Sequence, residues 1–118
     1  MTLHRWEDIP KEQLNEKLAR RFITGERAMV AQIYLDKGGT VPTHTHEAEQ
    51  ISYIIEGALR LWLGAEERPY DVRAGELLVI PSNVPHRAEA LEDTYDLDIF
   101  SPPRRDWIEG RDSYLRGR

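Results

Sequence analysis

The stretch GGTVPTHTHEAEQISYIIEG, residues 38 to 57, decides how this chain folds. Glycines bound it at both ends, and its second half is an apolar run of strand length, rich in the β-branched and aromatic residues that fit a pleated sheet. His44 and His46 stand one residue apart inside it, so on an extended strand both imidazoles project to one face and can converge on a single ion. Gln50 keeps the same parity, whereas Glu49, the competing oxygen donor, points to the other face.

The rest of the chain has the same texture. Gly and Pro punctuate it at short intervals, and the segments between them predict strands near residues 17–24, 28–36, 50–56, 58–64, 68–73, 77–80, 86–91 and 94–100. Gly25-Glu26-Arg27, between two apolar stretches, reads as a hairpin connection. Leu14, Leu18 and Phe22, spaced by four behind Pro10, predict a short helical turn within residues 10–22. At 118 residues the chain is expected to form one all-β domain, residues 1–118, closed into a small antiparallel barrel. Residues 101–118 read as a C-terminal tail opened by Pro102-Pro103. Its Trp107, Ile108, Tyr114 and Leu115 are expected to pack against the barrel or a second subunit.

Composition narrows the chemistry. There is no cysteine, so disulfides, thiolate metal sites and cysteine nucleophiles are excluded, and a metal here must use nitrogen and oxygen ligands. A net charge of −5 and a pI near 5.4 argue against nucleic acid or an anionic membrane as partner. No apolar run reaches the roughly 20 residues that span a bilayer, and Met1-Thr2-Leu3-His4-Arg5-Trp6-Glu7 lacks the apolar stretch of a secretory signal, so a cytoplasmic protein is expected.

Of the four histidines only His4 stands apart from this pattern. His86 opens a later strand segment, which a closed sheet can bring across the interior from His44 and His46. Three imidazoles facing an apolar interior need partners, and one divalent ion satisfies all three. The expected ligands are therefore His44, His46 and His86, with Gln50 as a fourth. Imidazole nitrogen serves Zn, Ni, Fe, Mn and Cu alike, so the spacing defines a site without naming its metal; Mn, Ni, Zn and Fe are the candidates. Four neutral ligands leave the charge of a divalent ion uncompensated, which strengthens it as a Lewis acid and supports a trivalent state poorly.

Near the C-terminus runs Asp98-Ile99-Phe100-Ser101-Pro102-Pro103-Arg104. Asp98 and Phe100 share a strand face. If that face is the interior, a carboxylate for acid/base work and an aromatic wall flank the metal, and Arg104 arrives after the Pro-Pro bend as a clamp for a carboxylate-bearing substrate. If it is not, the same residues are a solvated carboxylate, a core ring and a surface charge. Tyr53 and Trp62 are further candidates for the cavity wall.

These residues resemble the cupin superfamily. Its first motif runs Gly, five residues, His, one, His, three or four, Glu, six, Gly, and here reads Gly38, His44, His46, Gln50, Gly57. Its second motif is met by Gly75, Pro81, Asn83, His86 and Ala90, where Asn83 replaces a turn glycine and Ala90 an amide that supports the site. The resemblance implies a single-domain cupin, a double-stranded β-helix or jelly-roll barrel. Within it, the run from Asp98 to Arg104 resembles that of small pectin-degradation cupins, which open 4,5-unsaturated uronates to their linear keto form. Carried over, that likeness implies Asp98 as acid/base, Phe100 as substrate wall and Arg104 as carboxylate binder beside a His44, His46, Gln50, His86 metal site.

The expected function is thus a metal-dependent lyase or isomerase acting on a small sugar acid. Two alternatives stand beside it: an oxygen-dependent enzyme of diketones or phenols at the same ion, and a non-catalytic module that binds a sugar or a metal. Apolar residues at both termini, and the habit of small cupins, imply a homodimer.

Overall fold

The computed structural model describes residues 1–117, and strands make up most of it. In chain order they are β1 (Glu12–Asn15), β2 (Leu18–Thr24), β3 (Met29–Leu35), β4 (Thr40–His44), β5 (Glu49–Glu56), β6 (Ala58–Leu63), β7 (Arg68–Arg73), β8 (Leu77–Ile80), β9 (His86–Ala90) and β10 (Thr94–Ser101). The eight strands predicted from sequence all form, with bounds within one residue. They make a six-stranded sheet in the order β1-β2-β3-β10-β5-β8 and a four-stranded sheet in the order β4-β9-β6-β7, all pairs antiparallel.

The two sheets face one another across a shared core, to which the larger contributes Leu18, Met29, Ile33 and Ile54 and the smaller Leu59, Leu61, Val72 and Ala88. The jelly-roll expectation holds, but no single ring of hydrogen bonds closes it; β1, β8, β4 and β7 remain edges. No helix among the described residues is long and apolar enough to cross a membrane.

The predicted helical turn within residues 10–22 is not there. A 3-10 turn occupies Trp6–Asp8 instead, and residues 12–24 form the β1–β2 hairpin. The spacing by four had another cause. Leu14 and Leu18 lie on either side of a tight turn in which Asn15 Oδ1 accepts from Lys17 N at 2.9 Å, the hydrogen bond of an Asx turn, and Phe22 follows Leu18 on the same face of β2. Helix-like spacing was produced by a fold-back.

Glycine is required at one closure. Gly57, between β5 and β6, has φ +88°, and a Cβ there would lie 2.2 Å from the Asp93 carbonyl oxygen. Asn83 meets the expectation set by its residue type, with φ +63° in place of the motif glycine.

The tail packs on its own chain. A short helix α1 (Arg105–Ile108) and a 3-10 turn (Ser113–Arg116) fold back over the open end of the sheets, burying Trp107 and Leu115, while Ile108 stays exposed. Asn15 Nδ2 donates to the Leu115 carbonyl at 2.9 Å, and Arg20 Nη2 to Asp112 Oδ2 at 2.5 Å, fixing the tail to β1 and β2.

Candidate metal centre

The first two histidines do not share a strand, as their parity implied. His44 ends β4, His46 lies in the connection to β5, and Gln50 is on β5 in the other sheet. What aims His44 is a bulge: between the pairs Val41↔Ala88 and His44↔His86, β4 carries an extra residue. Bulges turn side chains locally and increase strand twist, and Pro42, unable to donate to a ladder, sits inside this one. His86 is therefore the direct cross-strand neighbour of His44, not a residue reaching across the interior. The His46 loop is tied to the second motif, because Asn83 N donates to the His46 carbonyl at 2.9 Å.

The three rings form a compact cluster, with centroids 4.2 to 5.4 Å apart. One ring nitrogen from each lies within 4.8 Å of the others, close enough for small rotamer shifts to bring all three onto bonds of ~2.0–2.1 Å to one ion.

Each Nδ1 faces a backbone carbonyl two residues away: His44 to Pro42 at 2.8 Å, His46 to Ala48 at 2.8 Å, His86 to Val84 at 2.9 Å. A carbonyl can only accept, so each Nδ1 carries the proton and each Nε2 presents a lone pair. The His86 Nε2 is enclosed and has no partner. His46 Nε2 lies 3.2 Å from Gln50 Oε1, an approach of two acceptors that a cation between them would satisfy. Gln50 Nε2 donates to Ser52 Oγ at 2.9 Å, which points the amide oxygen at the histidines. These residues fit a divalent ion, and the carbonyl at each Nδ1 is the outer partner that orients a metal-bound imidazole. Because Val84 already holds His86, the amide absent at Ala90 leaves that ring anchored.

Burial holds the imidazoles neutral. It lowers His44 to about 3, with help from the neighbouring His86, and His46 to about 4, with help from Arg104; His86 is lowered by burial too.

One cavity of about 50 Å³ joins His44, His86 and Gln50 to the inner face of β10. That face carries Thr94, Asp96, Asp98 and Phe100, all buried, while Tyr95, Leu97 and Ile99 face out. Asp98 is paired in register with Ser52, and Phe100 with Gln50, so the carboxylate lies one strand row from the proposed fourth ligand. Burial raises both Asp96 and Asp98, and Asp98 beside it raises Asp96 well above the usual carboxylate range. Asp96 is therefore the member of the pair that favours its protonated form, while hydrogen bonding with Asp96, Ser52 and Gln50 favours the charged form of Asp98.

Arg104 is 3% exposed and lines the same cavity, with its guanidinium 5.1 Å from the Phe100 ring. Its Nε and Nη2 hold Asp106 bidentately at 2.9 and 2.7 Å, and Nη2 also reaches the Tyr114 hydroxyl, leaving Nη1 for any ligand. The Tyr114 ring lies over His44 at 5.2 Å. Tyr53 and Trp62 do not line the cavity. Both are on outward faces, where Trp62 stacks under Arg87 at 3.7 Å.

Sequence reasoning missed Ser52, Asp96, Asp106, Tyr114 and Arg20. Ser52 and Asp96 were reachable, each two residues along a strand from a residue already identified. The other three had no local signal, since the tail and β2 reach the cavity only through the fold.

The family model for the cupin domain matches residues 31–101. No curated protein sequence matches the chain. Among solved structures, that of KdgF from a Halomonas species superposes with a TM-score of 0.81 at 26% identity, over 91% of this chain and 98% of its own. An RmlC-like cupin from Shewanella frigidimarina gives 0.82 at 26%, over 91% and 96%. Oxalate decarboxylase from Bacillus subtilis, studied for its Mn(II) centres, gives 0.74 at 24%, over 82% of this chain but 28% of its own, a likeness of fold alone.

Proposed function

The chain belongs to the cupin family, and from that premise we propose that it is a metal-dependent isomerase or lyase opening the ring of a small sugar acid, an unsaturated uronate or a close relative. One observation carries the reading: His44, His86 and Gln50 line a single cavity with the buried carboxylate of Asp98, and His46 completes their cluster of neutral donors. The likeness to KdgF, over nearly the whole of both chains, supports it.

A divalent ion held by those four residues would supply a Lewis acid for substrate oxygens. The chain's own groups do the rest. Asp98, whose charged form hydrogen bonding with Asp96, Ser52 and Gln50 favours, takes the proton of the anomeric hydroxyl as the ring C–O bond breaks. The enolate released at the former ring oxygen takes that proton back at carbon 4 and becomes a ketone. The isomerisation balances without oxidant or reductant. Phe100 forms a wall beside His46, with ring centroids 5.8 Å apart. Arg104 lines the same cavity with Nε and Nη2 held on Asp106, which leaves Nη1 for a substrate oxygen. A six-carbon ring exceeds a cavity of about 50 Å³, roughly three to five water-sized volumes, so its entry displaces Tyr114 and Leu115.

Absorbance tests this directly. Mn(II)-loaded protein should bleach the conjugated band of a 4,5-unsaturated uronate, and Asp98→Asn should slow the loss by about a hundredfold or more, the scale of a lost general base. A stable band with the loaded wild type, or equal loss with the variant, overturns the proposal.

A further inference from the structure

Arg20 is one of three cations in the cavity wall, with Arg87 and Arg104. It is 2% exposed, on β2, with Nη2 on Asp112 at 2.5 Å and Nε on Glu12 at 3.3 Å. Its guanidinium lies 4.4 Å from the ring of Trp107, which Arg104 approaches at 4.9 Å. Yet Arg20 Nη1 is enclosed and meets no acceptor. An unmatched buried donor of this kind is costly, the more so on a charged group, unless something supplies the missing oxygen.

Where it sits matters. In the six-stranded sheet Arg20 shares a cross-strand row with Ile33 and Asp96; the next row carries Phe22, Ala31, Asp98 and Ser52, and the next Phe100 and Gln50. Successive rows on one face are ~6.7 Å apart. An oxygen-bearing group on Nη1 therefore lays the rest of its molecule along Asp98 towards the histidines.

Arg20 and Arg116 are balanced by Glu12 and Asp112, Arg104 by Asp106 and Arg87 by Glu67. What Nη1 of Arg20 lacks is an oxygen acceptor, and the acceptor that best matches a guanidinium donor is a carboxylate. We propose that Arg20, through Nη1, receives the carboxylate of a small ligand at the inner end of the cavity. This rests on the reading of the site as a metal-dependent one for sugar acids, and it names the residue that selects the acid.

L-lactate and its neutral isostere lactamide, both far smaller than a uronate, are the probes, titrated calorimetrically into Mn(II)-loaded protein. Arg20→Gln should weaken lactate by roughly tenfold or more, the size of a lost charge-assisted hydrogen bond, while lactamide changes less than about twofold. Mn content stays at the wild-type level. The double variant Arg20→Gln with Asp112→Asn leaves no buried charge unpaired, so it folds where the single variant does not, and it should lose the same preference. Unchanged lactate affinity in the variants, equal weakening of both probes, or a wild type that binds neither probe, overturns the assignment. The uronate assay separates the two ideas. Lost lactate preference without turnover by the wild type leaves Arg20 standing and removes the isomerase, and turnover with an intact preference in the variants does the reverse.

Discussion

At the scale of single residues, the metal site is set by where three protons are. Each histidine spends its Nδ1 proton on a carbonyl two residues away, and the spare lone pairs meet. Since burial lowers His44 to about 3 and His46 to about 4, protons compete for those lone pairs only well below the ordinary imidazole value of 6.5. Protein loaded with Mn(II) or Zn(II) should therefore keep its ion on dialysis at pH 5.5, read by elemental analysis; half-loss near pH 6.5 would mean ordinary, exposed imidazoles. His86→Ala should abolish uptake, and Gln50→Ala should weaken it by about tenfold or more. The histidines were legible because their spacing carries chemistry, and Asn83 because its left-handed backbone follows from residue type. The route to convergence was not legible. A bulge at Pro42 and a loop, invisible to any parity rule, do what one straight strand was expected to do.

At the scale of elements, β10 decides the site by inverting the usual pattern. Its sequence alternates Tyr95, Leu97, Ile99 with Asp96, Asp98, Phe100, and hydrophobicity alone would bury the first set. The structure buries the second, placing two carboxyls in the core. Asp98 and Phe100 could be assigned to one face from sequence, but not to which face, because that depends on β3 and β5 on either side. β1 and β4 were missed for local reasons: one imitates helical spacing, and the other is short and contains Pro42. Burying Asp96 has a thermodynamic consequence. In the folded chain it holds its proton well above 3.8, whereas in the unfolded chain it ionises there. The unfolded state thus binds fewer protons above that pH, so this residue's contribution is fully present below 3.8 and is lost as pH rises towards the raised folded value. Asp96→Asn removes the loss and keeps a donor for Asp98. It should melt above wild type by about 4 °C or more at pH 7, a gain of about 1 kcal/mol, with the gap closing towards pH 4. A variant that melts below wild type at pH 7 would show that Asp96 is ionised or plays another part in the fold.

At the scale of the molecule, the same inversion leaves an apolar face on the outside. Ile23, Val30, Ile99, Ile51 and Val79 are in register across five strands, β2, β3, β10, β5 and β8; in the adjacent row Leu97, Tyr53 and Leu77 continue the apolar surface on β10, β5 and β8, while Arg21 and Gln32 occupy its β2 and β3 positions. The exposed end of this face is β8, where Leu77 is 60% and Val79 53% exposed on an edge strand of four residues. The five-strand row spans ~19 Å of sheet, and no charged side chain interrupts it. A contiguous apolar face of that width marks an interface, and an unblocked edge strand needs covering. A two-fold axis through the row lays it on its own copy, matching apolar to apolar with no second surface required. The homodimer proposed from the sequence would use this face, on the opposite side of the larger sheet from the cavity, rather than the tail, whose Trp107 and Leu115 are already buried within one chain. Size-exclusion with light scattering should give twice 13.7 kDa for the wild type. Ile99→Lys with Val79→Lys, both pointing away from the core, should halve that mass and leave Mn(II) uptake unchanged, because neither side chain touches the cavity. A wild type of 13.7 kDa, or a variant that stays paired, would show that this face is simply solvated.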